Sequence, residues 1–159
     1  MSTGRIAAIC IGPDRGAPMR LVGEVRAITG TGLEGDRYAL GNGSFNQGKP
    51  GRRQVTLING IFLRGSGFSY TDSRRNLVVF GIELMRLIGR EFTVGDALLR
   101  GISYCEPCDR PSSIKGKGDF RRAFYDRGGI IAEIISGGTI KVNDPVVLLP
   151  STDATPVAS

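Results

Sequence analysis

Twenty-four glycines divide this 159-residue chain into short pieces. They fall between brief runs of β-branched and apolar residues, so the chain turns often and has little room for long helices. Residues 5–11 (RIAAICI) read as a buried strand closed by a Gly-Pro-Asp loop. Residues 20–29 (RLVGEVRAIT) read as one further strand, forming a long-tipped hairpin with the first. Further strands are expected at 54–58, at 76–80, over 92–100 with a bend at Gly95-Asp96, and at 102–104. Residues 129–135 and 142–149 bracket a Ser-Gly-Gly-Thr turn, which predicts a hairpin. Apolar spacing suits short helices over 82–88 and 119–125. Residues 30–53 form a long irregular stretch of the kind that is functional or mobile.

About seven or eight short strands and two or three short helices follow. Turns rather than helices join neighbouring strands, which excludes a doubly wound α/β fold. A barrel or sandwich is expected, and a barrel removes unpaired edges. The length suits one domain over 1–150, with 151–159 as a frayed, disordered tail.

Composition narrows the chemistry. The chain has no His, which removes Ser-His-Asp triads and His-based zinc sites. Three Cys cannot make a four-Cys zinc site, and without an export signal they suit a reducing cytoplasm. No apolar run is long enough for a membrane helix. The charge is +6, and Arg greatly outnumbers Lys. Guanidinium forks suit anionic ligands, although most single arginines are solvated.

Several clusters carry potential chemistry. Cys105-Glu106-Pro107-Cys108 has the CxxC spacing. It is open to four readings: a redox dithiol, half a zinc site, two buried inert thiols, or one reactive or ligating thiolate. Of the two cysteines, Cys108 lies deeper in its loop and is the first choice for a reactive thiolate. Cys10 falls inside an apolar strand and reads as a core thiol. Arg74-Arg75-Asn76 opens a strand, so the two guanidiniums should point to opposite faces. Arg52-Arg53 precedes another strand in the same way. In Gly32–Tyr38 (GLEGDRY), Asp36 can fix a turn or orient Arg37. Arg127 sits on a Gly-rich corner whose backbone N–H groups can approach an anion. Nucleic-acid binding is the weaker rival reading, because the basic pairs lack interleaved aromatics.

The motifs GLEGDRY, RRQVTLI, RRNLVVFGIEL, FTVGDALLRG, CEPC and RGGIIAEIISGGTIKVNDPV occur in one order from residue 32 to 146. Together they resemble the MOSC domain, named for the C-terminal domain of molybdenum-cofactor sulfurase. The resemblance implies a mainly-β, barrel-like domain and a molybdopterin-type molybdenum cofactor. It implies Cys108 as the catalytic thiolate, serving as molybdenum ligand within the cofactor or as persulfide acceptor. Arg74, Arg75 and Asn76 would line the pterin-phosphate pocket, with Asp36, Arg37 and Arg127 as further cofactor-binding residues. Pyridoxal phosphate is not expected, because the desulfurase domain of the sulfurases is missing from this sequence. A cysteine desulfurase or a redox protein would be the partner, with no membrane or nucleic-acid role. The implied activity is sulfur carriage or cofactor-dependent reduction. The alternative is a non-catalytic module that delivers cofactor to a partner.

Overall fold

The first apolar run becomes the longest strand, Thr3–Ile11 (β1). The computed structural model describes residues 3–14, 16–41, 51–107 and 119–151. Ten further strands follow: β2 (Arg20–Val22), β3 (Glu24–Ile28), β4 (Gly32–Leu33), β5 (Val55–Asn59), β6 (Leu77–Phe80), β7 (Glu91–Val94), β8 (Ala97–Tyr104), β9 (Ile130–Ser136), β10 (Gly138–Lys141) and β11 (Pro145–Leu148). The helices are single turns, α1 (Arg37–Leu40) and α2 (Phe120–Ala123), with 3₁₀ turns at Gly60–Phe62 and Leu84–Leu87.

Seven strands close into a barrel in the order β1-β6-β5-β9-β8-β7-β11, with β11 returning to β1. β1 can serve three partners because it is long and irregular. Thr3–Arg5 pair with β11, Arg5–Ile9 with β6, and Ile9–Ile11 with β2. The register shifts between Ile6 and Ala8, a bulge of the kind that bends barrel strands. β10, β3 and β4 form a smaller sheet. Its buried residues Val25, Ala27, Leu33 and Ile140 join Ile6, Ile9, Leu57 and Leu99 of the barrel strands in one hydrophobic core.

A second apolar layer explains why β5 reads as a continuous run rather than an alternation. Val55 and Leu57 belong to the main core, while Ile58 belongs to an aromatic cluster with Val78, Phe68, Phe120 and Phe124. Phe120 and Phe124 stack at 4.4 Å, and Phe68 meets Phe120 edge-on at 5.2 Å. Asp119 caps α2 by accepting from the Arg122 amide, which lays both phenyl rings against the barrel wall.

Several expected elements differ. Residues 20–29 are not one strand; the chain breaks at Gly23, sending β2 and β3 to different sheets. The 92–100 strand is a hairpin, β7 to β8, turning at Gly95 with φ 56°. β9 and β11 do not pair with each other. β9 lies between β5 and β8, β11 between β7 and β1, and β10 crosses to β3. Gly137 permits that departure, because a Cβ there would collide with the Ala27 carbonyl oxygen. Residues 82–88 form only a 3₁₀ turn. It buries Leu84 and Leu87, three apart, and gives way to extended backbone at Ile88. β5 and β6 are parallel, so the intervening chain must cross over the barrel wall rather than turn tightly. The irregular 30–53 stretch holds β4 and α1; residues 42–50 lie outside the described residues, as do 152–159 of the expected tail. No helix among the described residues is long and apolar enough to cross a membrane.

Candidate functional site

Among the described residues, four buried charged residues lie at the start of α1 and just before β6. They are Asp36, Arg37, Arg74 and Arg75, with the buried amide Asn76 beside them. Asp36 caps α1 by accepting from the Tyr38 amide, and it also accepts from the Gly12 amide at 3.0 Å. Its carboxylate pairs with Arg37 at 3.2 Å. Burial pushes the Asp36 carboxyl above its ordinary range, and the Arg37 charge and the bonds from Gly12, Tyr38 and Asn76 only partly offset this.

Arg37 links this corner to the next. Its Nη2 donates to the Arg74 carbonyl at 3.0 Å and to the Tyr38 hydroxyl at 3.1 Å. Arg74 itself sits at φ 60°, outside the strand, and donates to the Ala17 and Asp14 carbonyls. Arg75 has different partners; both arginines precede the strand, so the alternation expected of strand residues does not apply to them. Arg75 Nε donates to Gly128 O at 2.7 Å, and its Nη2 to the carbonyls of Cys105 and Glu106 at 3.4 and 3.2 Å. Among the described residues nothing accepts from Arg75 Nη1.

Asn76 is a pin between strands. Its Oδ1 accepts from the Thr56 amide and hydroxyl, and its Nδ2 donates to the Cys10 carbonyl at 3.1 Å. β5, β6 and β1 are thereby tied together at one buried point. Cys10 is a core thiol, pushed up to about 12 by burial and by the Asp36 charge.

Arg53 and Cys105, noted in sequence within their motifs but not chosen as site residues, are joined by the fold. Arg53 Nε donates to the Tyr38 hydroxyl at 3.2 Å, and its Nη2 to the Cys105 sulfur at 3.4 Å. Burial alone would lower the Arg53 pKa, but Tyr38 and Cys105 beside it raise it above the ordinary arginine value. The signal was present in sequence as the Arg52-Arg53 pair, but Arg52 goes to an exposed ion pair with Glu133. Only the tertiary contact distinguishes the two.

Arg127 stands apart. It is exposed, with its guanidinium over the Phe62 ring at 4.9 Å. The glycines after it serve packing. Gly128 N donates to the Tyr104 hydroxyl, and a Cβ on Gly128 would strike the Cys105 carbonyl. Gly129, at φ 93°, packs as closely on the Leu57 carbonyl. Cys108 lies outside the described residues. Among the described residues no group of three or more His, Cys, Asp or Glu is arranged to hold a metal ion.

The barrel has known counterparts. The YuaD protein of Bacillus subtilis superposes with a TM-score of 0.75 at 16% identity, covering 92% of this chain and 97% of that one. YiiM from Geobacillus stearothermophilus gives 0.69 at 16% identity, over 92% of this chain and 75% of that one. YiiM from Escherichia coli gives 0.65 at 19% identity, over 96% and 71%. No curated protein matches the chain significantly. Such low identities speak to fold alone. A family model described as the MOSC domain, however, matches residues 55–147, which is more than half of the chain, from β5 through most of β11. This chain belongs to the MOSC domain family.

Proposed function

We propose that this MOSC protein binds a molybdopterin-type molybdenum cofactor, with Cys108 supplying a thiolate as metal ligand or sulfur acceptor. The observation that carries the reading is the imbalance of buried charge. Among the described residues, Arg37, Arg74 and Arg75 are buried with a single buried carboxylate, Asp36. Among the described residues, Arg37 and Arg75 also donate to neutral carbonyls, which do not cancel their charge in a medium that screens it poorly. A phosphate or an oxo-metal centre is an anion suited to guanidinium forks. The donor set therefore fits the group.

In this reading Arg75 orients the cysteine loop. Its bonds to the carbonyls of Cys105 and Glu106 anchor the chain immediately before Cys108. Arg75 Nη1, which has no acceptor among the described residues, would donate to the ligand. Arg53 holds the first cysteine of the motif by its sulfur, favouring Cys108 as the one that engages the cofactor. Asp36 and Asn76 act as positioning residues, holding Arg37 and the β6 entrance. When bound, the cofactor would supply a redox-active, sulfur-ligated metal. A cysteine desulfurase or a redox protein would supply sulfur or electrons.

The test is metal content. Protein purified from a cofactor-producing host should carry stoichiometric molybdenum. Cys108→Ser should lose it, and Cys105→Ser should largely keep it. Equal molybdenum in wild type and Cys108→Ser ends the ligand role. Loss in both variants equally would favour a dithiol instead.

A further inference from the structure

The terminal nitrogens of Arg37 are fully used inside the protein. Nη1 donates to the Asp36 carboxylate and to the Met19 sulfur, both at 3.2 Å. Nη2 donates to the Arg74 carbonyl at 3.0 Å and to the Tyr38 hydroxyl at 3.1 Å. Each of these nitrogens carries two hydrogens, so all four are taken. Whatever hydrogen bond those nitrogens lend an anion must pass through a neighbour. Among their acceptors, the Tyr38 hydroxyl is a donor as well.

That hydroxyl is doubly bound. Its oxygen accepts from Arg37 Nη2 and, at 3.2 Å, from Arg53 Nε. A guanidinium has no acceptor, so both bonds run into the oxygen and neither takes the phenolic proton. Among the described residues nothing accepts that proton. Tyr38 is only 3% exposed, so a proton without an acceptor there carries the penalty of an unmade buried hydrogen bond.

The ring is held as firmly as the oxygen. The guanidinium carbons of Arg37 and Arg53 stand 4.4 and 5.6 Å from its centroid. The hydroxyl is therefore preorganised and needs no rearrangement to serve an acceptor. It also stands beside the cysteine motif. Arg53 holds the Tyr38 oxygen and the Cys105 sulfur with one planar group, and Arg75 holds the Cys105 carbonyl. An acceptor reaching the Tyr38 proton comes under the charge of Arg37 and Arg53. Asp36, the one buried carboxylate among the described residues, is already bonded to Arg37 and to the Gly12 and Tyr38 amides. Such surroundings favour an anionic acceptor over a neutral one.

We propose that Tyr38 is a direct binding residue for the anion: its hydroxyl gives its proton to an anionic oxygen of the ligand, while its own oxygen keeps Arg37 and Arg53 in place. The role rests on the reading of this cluster as an anion site. A neutral phenol thereby makes the contact that the terminal nitrogens of Arg37 cannot. The oxygen belongs to a phosphate ester or to an oxo-metal group, which offer the same acceptor chemistry.

The test uses the full chain carrying ¹³C at the Cζ of its four tyrosines, titrated separately with sodium molybdate and with methyl phosphate. The Tyr38 signal is the one missing from Tyr38→Phe. In mixed light and heavy water, the hydroxyl and its deuterated form give separate Cζ signals when exchange is slow, so the exchange rate of this one proton is readable. Saturation with at least one probe should slow Tyr38 hydroxyl exchange at least about tenfold, and leave Tyr70 and Tyr125 unchanged. Tyr38→Phe keeps the ring between the guanidiniums and should bind that probe at least about tenfold more weakly. The probe so affected tells an oxo-metal group from a phosphate ester. The exchange measurement needs only the wild type, so it decides the matter even where loss of the hydroxyl unfolds the chain. Binding without slower Tyr38 exchange, or equal affinity in Tyr38→Phe, would overturn the role of Tyr38 and leave the anion site standing. Failure of the wild type to bind either probe would overturn the anion site and the role of Tyr38 with it.

Discussion

The guanidinium of Arg53 reaches the sulfur of Cys105 at 3.4 Å across 52 positions of sequence, with the Tyr38 hydroxyl held on its other edge. One side chain thus joins α1, the approach to β5 and the end of β8. A lysine keeps the charge but cannot reach both groups with a planar fork. Arg53→Lys and Arg53→Gln should each lower stability by about 1.5–3 kcal/mol, the range for hydrogen bonds to a charged group. Urea unfolding checks this, and an unchanged midpoint in both variants would show the contact to be incidental.

Asn76 should matter more to folding than to any ligand. Asn76→Ala leaves the Thr56 amide and the Cys10 carbonyl without their buried partner. Each orphaned group costs about 1–3 kcal/mol, so a loss of at least ~2 kcal/mol is expected in urea unfolding. A variant of wild-type stability would refute the three-strand pin.

Asp36 gives stability a characteristic pH dependence. Its native pKa is raised by burial, so the folded state holds the proton more tightly than the unfolded one. The contribution is present below the ordinary value near 3.8 and is lost as pH rises through the raised native value. Asp36→Asn imitates the protonated form while keeping an acceptor for Gly12. The wild type should therefore lose stability relative to Asp36→Asn as pH climbs from below 3.8. The opposite slope, in paired urea titrations, would mean that Arg37 outweighs burial.

Cys10 should be chemically silent in the folded protein. With its pKa pushed up to about 12, almost no thiolate forms at pH 8, and the sulfur is buried. Iodoacetamide followed by peptide mass mapping should label Cys10 only after denaturation. The same shift makes stability decline as pH rises from 9 towards 12, because the unfolded thiol ionises first. Rapid native labelling would contradict the core placement.

Gly128 tests how tightly the cysteine segment is packed. A methyl group there meets the Cys105 carbonyl and lies 3.0 Å from the Pro107 ring. Gly128→Ala should shift the amide resonances of Cys105 and Glu106 and weaken the Arg75 bonds, while distant strands β3 and β10 keep theirs. An unperturbed Cys105 amide would show that the segment has slack.

The sequence by itself determined the character of each piece. Apolar runs bounded by glycines marked the strands, because a buried run must end where the backbone turns. The order of motifs from GLEGDRY to RGGIIAEIISGGTIKVNDPV carried the family. The separate partners of Arg74 and Arg75 did not follow from strand alternation, because both precede β6 and Arg74 adopts a left-handed φ. What the tertiary structure alone decided was partnership. Residues 142–149 look the same whether β11 pairs with β9 or with β1 and β7, because alternation encodes which face is buried and not which strand lies alongside. The break at Gly23 was equally invisible, since RLVGEVRAIT has the composition of one strand and only the demands of two sheets divide it. Asn76 carried no mark that would separate a pin between strands from a ligand group; Thr56 and the Cys10 carbonyl make it a pin. Arg52 and Arg53 are chemically identical neighbours just before β5, and tertiary contacts send one to solvent and the other to a buried sulfur.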